Sequence, residues 1–280
     1  MRMKIISDSC CDLNTELKKQ LDIELVPLTI RIGNQEFLDD ESLDTKELLK
    51  VMKNNEDSPK TASPSPGSFI EKYKKNDKSF VVTLSSALSS TYNHAMMAKN
   101  MILEEAGNKF IHVFDSVSAA AGETLICIKL NELINKGLHE SEIIEKTNEY
   151  IGEMKTFFVL ESLDNLIKAG RMSKIQGKLA SALSIKPIMG STDDGNIRLV
   201  KKVRGINKAL SKLVDVIGEE ENSCKFEEKV LGITHVNCKE RAEKLKEDIM
   251  NQYSFKDIII VEAGGISSVY ANDGGIVLAF

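Results

Sequence analysis

The chain has 280 residues, 42% of them hydrophobic, and its 37 basic against 42 acidic side chains give a net charge of −5. Such a length supports one large or two modest cores, and two domains are expected. The lack of a long basic block argues against a dedicated nucleic-acid binder, no apolar run approaches the length of a membrane span, and Asp8 and Asp12 come too early for a signal peptide.

The first strand is expected at residues 3–6, with a polar turn containing Asp8, Ser9 and Asp12 before a helix carrying Leu17 and Leu21. Residues 23–32 read as one extended segment, and Gly33-Asn34 as a hairpin turn into residues 35–37. Thr45 is expected to cap a helix running through Met52. Residues 59–67 hold three of the chain's five prolines, so this loop should keep a fixed extended shape. It reads either as a rigid connector to a helix at 68–73 or as a device presenting Thr61, Ser63 and Ser65.

Residues 80–84 form an apolar, β-branched run suited to a buried strand, and Tyr92, Ala95, Met96 and Ile102 share one helix face. Ser85, Ser86, Ser89, Ser90 and Thr91 lie between them with no charged side chain. Such hydroxyls are ordinary helix caps; together with free N-terminal amides they also make a seat for a small anion. A strand at 110–114, a helix at 119–135 ended by Gly137, and a helix at 141–154 follow. Alternating strands and helices imply a parallel sheet whose strand ends collect Asp8, Ser9, Ser85, Ser86, Asp115 and Ser116 in one crevice.

The second half changes character. A strand at 157–160, a short helix at 163–168, a break at 170–173 and a helix at 179–183 precede two antiparallel strands at 185–189 and 197–203. A helix from Arg204-Gly205 to Ile217, a Glu-rich linker at 219–222, strands at 229–234 and 257–261 flanking a helix with Ala242, Leu245 and Ile249, and a glycine turn into a last strand complete the chain. The fold class is α/β in two domains. Residues 1–155 should form a three-layer α/β/α domain with a parallel sheet, and residues 156–280 a two-layer α+β domain with a mixed sheet. Cys10, Cys11, Cys127, Cys224 and Cys238 are odd in number and lack CxxC spacing, as suits reduced thiols of a cytoplasmic protein, and four scattered histidines suggest no metal site.

Asp8-Ser9, Val26-Pro27-Leu28, the stretch from Thr61 to Gly67, the stretch from Leu84 to Tyr92, Asp115-Ser116, Gly170-Arg171-Met172-Ser173 and Ile185-Lys186-Pro187 occur in the order found in DegV proteins. The resemblance spans nearly the whole chain. It implies a bacterial fatty-acid-binding protein without catalytic residues or cofactor, its ligand between the two domains, acting as the acyl-carrying subunit of a fatty acid kinase. The partners implied are a long-chain fatty acid such as palmitate, stearate or oleate and a separate ATP-dependent kinase. The resemblance assigns the carboxylate to Thr61 and Ser89, with the Ser90 amide beside them. Ser90 stands where the family has Gly, and Ala62 where it often has Ser. Asn272 stands where many members carry His, and Arg171 and Arg204 match family arginines near the head group or the partner surface.

Physical chemistry suits such a ligand. A buried carboxylate needs donors, each contributing about 1.5–3 kcal/mol, while a buried acyl chain contributes about 0.8 kcal/mol per methylene. Phe157, Phe158, Leu179, Leu183, Ile185 and Ile188 are candidates for the tunnel wall or for plain core. The alternative is a serine hydrolase or acyltransferase using a serine of the stretch from Ser85 to Ser90, although no GxSxG elbow surrounds these serines. The lack of a P-loop or kinase signature argues against phosphoryl transfer by this chain alone.

Overall fold

The computed structural model describes residues 3–105, 107–172, 185–220 and 225–280. The expected helix at 179–183, Ser173 and residues 221–222 of the linker lie outside them.

The first half is built on a four-stranded parallel sheet ordered β2-β1-β6-β7, with β1 at Met3–Asp8, β2 at Glu24–Val26, β6 at Lys78–Thr83 and β7 at Phe110–Asp115. Alternation in the strands feeds two cores. Ile6 and Val81 pack with Phe69 and Tyr73 of α3 (Pro66–Lys75) and Ala95 and Ile102 of α4 (Thr91–Glu105). Ile5, Phe80 and Val82 face Leu125 and Leu130 of α5 (Ala121–Asn135), with α6 (Glu140–Glu153) behind.

The extended segment expected at 23–32 is two strands rather than one. Pro27, which has no N–H, sits at the break between β2 and β3 (Thr29–Ile32). Gly33, at φ 57°, turns β3 into β4 (Gln35–Leu38) as expected. The Pro-rich loop begins with β5 (Lys60–Ala62), which pairs antiparallel with β3 and puts Thr61 opposite Ile30. Asp44 rather than Thr45 caps α2 (Thr45–Asn54), accepting from the amides of Lys46 and Glu47. Helix α1 (Thr15–Leu21) is capped by Asn14.

The second half is a six-stranded mixed sheet ordered β10-β9-β8-β13-β11-β12. Its strands are β8 (Thr156–Val159), β9 (Ile188–Ser191), β10 (Ile197–Lys201), β11 (Val230–His235), β12 (Asp257–Glu262) and β13 (Ile276–Ala279). The strand expected from 185 begins at Ile188, because Ile185 makes only an isolated bridge to Arg204. One face packs Phe157, Val159, Ile188 and Leu278 against α8 (Ile206–Glu219) and α9 (Lys239–Met250). The other face carries α7 (Asp164–Lys168) and α10 (Gly265–Ala271), the latter a helix that periodicity did not suggest. Helix α5 touches β11 and β13 as well as β1 and β6, and Ala279 joins its core, so one helix lies between the two sheets.

Candidate functional site

The carboxyl ends of β1, β6 and β7 are laced together. Asp8 accepts the amide of Cys10 at 2.9 Å and that of Leu84 at 2.8 Å, fixing the start of the hydroxyl loop. Asp115 accepts from Ser86 N at 3.1 Å and Val117 N at 3.0 Å. Ser85 is fully buried and donates to Gly195 O at 3.0 Å, reaching the turn between β9 and β10. These strand-end residues therefore build the frame of a crevice rather than offering free groups.

The Pro-rich loop lies across this frame. Ser63 Oγ is 2.7 Å from Ser90 Oγ and 3.2 Å from His94 Nδ1, which is itself 2.8 Å from Pro64 O. Two residues before Ser63, Thr61 Oγ1 is 2.7 Å from the Tyr270 hydroxyl of α10. One residue before Ser90, Ser89 Oγ is 2.9 Å from Thr91 Oγ1, at the start of α4. Thr61, Ser89 and Ser90 thus belong to two loops joined by a direct hydrogen bond. Among the described residues no histidine hydrogen-bonds to Ser85, Ser86 or Ser89, and Ser90 meets His94 only through Ser63.

The other sequence candidates have different surroundings. The exposed Arg171 sends Nε to Leu88 O at 2.8 Å, bracing the hydroxyl loop from the second half. Arg204 is exposed beside α8. Asn272, at φ 59°, ends α10; its Nδ2 donates to Ser162 O at 3.2 Å and its Oδ1 accepts from Asn165 at 3.0 Å.

Next to the joined loops, through Leu88 and Tyr270, is an apolar cavity of about 110 Å³. Its walls include Leu88 of the hydroxyl loop, Phe158 and Val277 of the mixed sheet, Leu166 of α7, and Tyr270 and Ala271 of α10. Of the residues suggested as tunnel wall, Phe158 lines this cavity. Phe157 and Ile188 point to the opposite face of the sheet and belong to the core under α8 and α9, since adjacent strand residues face opposite sides. Ile185 is half-buried outside the lining, and Leu179 and Leu183 lie outside the described residues. Both halves of the chain supply the walls. Val117 and Ala120, also in the wall, have φ of 46° and 54°, a strained backbone of the kind that collects at binding sites.

Tyr270 escaped the sequence reading, although its phenol was the one hydroxyl-bearing ring in the closing segment. Helix α10 holds it in place from a distance: Asp39 accepts the amides of Gly265 at 2.7 Å and Ile266 at 3.0 Å, and Asp12 that of Gly264 at 2.7 Å. Burial raises the carboxyls of Asp8 and Asp12 to about 7. Burial and the neighbouring Asp8 push Glu123 well above the ordinary range. Asp8, Cys10 and Glu123 bring ligand-type atoms within 4.8 Å of one another, the geometry a metal ion would need, though both Asp8 oxygens already accept amides.

A family model described as an uncharacterised protein of the DegV family matches residues 2–280. A DegV domain-containing protein of Streptococcus pyogenes serotype M18 is 35% identical over 282 residues, covering 100% of this chain and 99% of that protein. Among solved structures, a DegV family protein of Ruminococcus gnavus described with vaccenic acid is 41% identical, with TM-score 0.93 and 99% of each chain covered. The Streptococcus pneumoniae fatty acid kinase B3 protein loaded with linoleic acid is 33% identical, with TM-score 0.92, covering 100% of this chain and 99% of that one. A Eubacterium eligens protein loaded with heptadecanoic acid is 32% identical, with TM-score 0.90 and coverage of 99% and 98%.

Proposed function

Since the chain belongs to the DegV family, we propose that it binds a long-chain fatty acid such as palmitate, stearate or oleate and presents it to a separate ATP-dependent kinase. The observation that supports the reading is an apolar cavity with hydroxyls just behind two of its wall residues: Thr61 hydrogen-bonded to Tyr270, and Ser89 adjacent in sequence to Leu88. The acyl chain fills the cavity, where each methylene contributes about 0.8 kcal/mol. The carboxylate meets Thr61, Ser89 and the Ser90 amide, with Asn272 shaping the turn behind Tyr270. Arg171 steadies the head-group loop, and Arg204, exposed, suits a contact with the kinase.

In this reading residues 1–155 carry the head-group loops and residues 156–280 most of the acyl-chain wall. The described cysteines Cys10, Cys11, Cys127 and Cys238 are free thiols, which supports a cytoplasmic setting. No described helix is long and apolar enough to cross a membrane.

Native mass spectrometry of the purified protein and of lipid extracted from it tests the reading. The expected result is one fatty acid per chain, with uptake of added oleate reduced at least about tenfold when Thr61→Val and Ser89→Ala are combined. A protein that neither carries nor takes up a fatty acid would refute it.

A further inference from the structure

The last basic side chain in the sequence is Lys256, so no cation from the closing segment reaches the cavity. Asn272 offers no replacement, because its amide donates to Ser162 O and its carbonyl accepts from Asn165. Tyr270, two residues earlier, both lines the cavity and meets Thr61 Oγ1 at 2.7 Å. We propose that the Tyr270 phenol is a head-group donor: with Thr61 it forms a two-hydroxyl clamp that takes one carboxylate. This assignment rests on the fatty-acid reading above and names a residue of the same site.

The chemistry follows from counting protons. Two hydroxyls hold two hydrogens, one of which lies between their oxygens and leaves the other for an outside acceptor. A hydroxyl that accepts from its neighbour becomes a better donor, so the pair polarises toward an anion placed beside it. Position is fixed from three sides. Asp39 and Asp12 hold the first turn of α10, and Asn165 donates to Val269 O at 2.7 Å on its last turn. β5 holds Thr61 opposite Ile30. The ring itself is half-buried and supplies apolar wall, so removing only its oxygen separates the two roles.

The experiment titrates delipidated full-length protein with oleate and with methyl oleate, in the parent, Tyr270→Phe, Thr61→Val and the double variant. Tyr270→Phe should weaken oleate at least about tenfold and methyl oleate less than about threefold, since the ester carries no charge to be met. The two single losses should also sum to more than the double loss, because each variant breaks the same clamp. Unchanged oleate affinity in Tyr270→Phe, or equal losses for acid and ester, would overturn the assignment while leaving lipid binding intact. A parent protein that binds neither ligand would overturn the fatty-acid reading and this assignment with it.

Discussion

Asp39 accepts the amide of Gly265 at 2.7 Å across 226 positions of sequence, so the segment after β4 holds the helix that carries Tyr270. Both oxygens are engaged and the side chain is buried. Asp39→Ala strands two buried amides and is expected to cost about 2–4 kcal/mol in urea unfolding and to weaken oleate, with Asp39→Asn losing less. Loss of stability with full oleate affinity would show that the cap and the cavity mouth are uncoupled.

The β9–β10 turn leans on the hydroxyl loop in the same way. Gly195 has φ 77°, and a Cβ there would stand 2.2 Å from Ser85 Oγ. Gly195→Ala should therefore lower the melting temperature, by about 1–3 kcal/mol of stability. Adding Ser85→Ala removes the Oγ clash but neither the backbone strain nor the 3.0 Å approach to Val117 Cα, so it should restore part of the loss. Simple addition of the two losses would show that the atoms are not in contact.

Val277 faces the cavity from β13 and is half-buried although its strand is central. Val277→Phe suits a strand and fills empty space instead of crowding a packed core. Oleate uptake should fall at least about tenfold with the unfolding midpoint of the ligand-free protein kept or raised. Undiminished uptake would remove Val277 from the path of the acyl chain.

Asp12 gives stability a defined pH slope. Burial lifts its carboxyl from 3.8 to about 7 in the folded chain. Below about pH 4 both states hold the proton; as pH rises toward 7 the unfolded chain ionises first, so stability falls. Asp12→Asn keeps an acceptor for Gly264 and cannot ionise, with the hydroxyls of Ser267 and Thr234 beside it. From about pH 5 to pH 8 this variant should lose less stability than the parent, by on the order of 2–4 kcal/mol. Parallel pH profiles would show that Asp12 is ionised throughout.

What could be read beforehand was local. The runs at β6 and β7 are buried on both faces and therefore nearly continuous in apolar residues, and Gly33-Asn34 turns the only way such a pair readily does. Helix α10 was hidden because glycine, serine and β-branched residues make a poor helix on their own, and its caps come from Asp12 and Asp39. Alternation told that Phe157 and Phe158 face opposite ways but not which way held the cavity. Thr61 and Ser89 came from motif resemblance, whereas Tyr270 depends on a pairing 209 positions apart that no local pattern records.

Helix α5, wedged between the parallel and the mixed sheet and sharing side chains with each, ties the two layers into one solid. A jaw-like hinge between the layers would have to tear Leu125 out of a close-packed interior, so on the proposed reading a fatty acid would enter and leave past the loops beside the cavity. Exchanging the Pro-rich loop at 59–67 should alter how fast a lipid comes and goes while the scaffold keeps its melting behaviour.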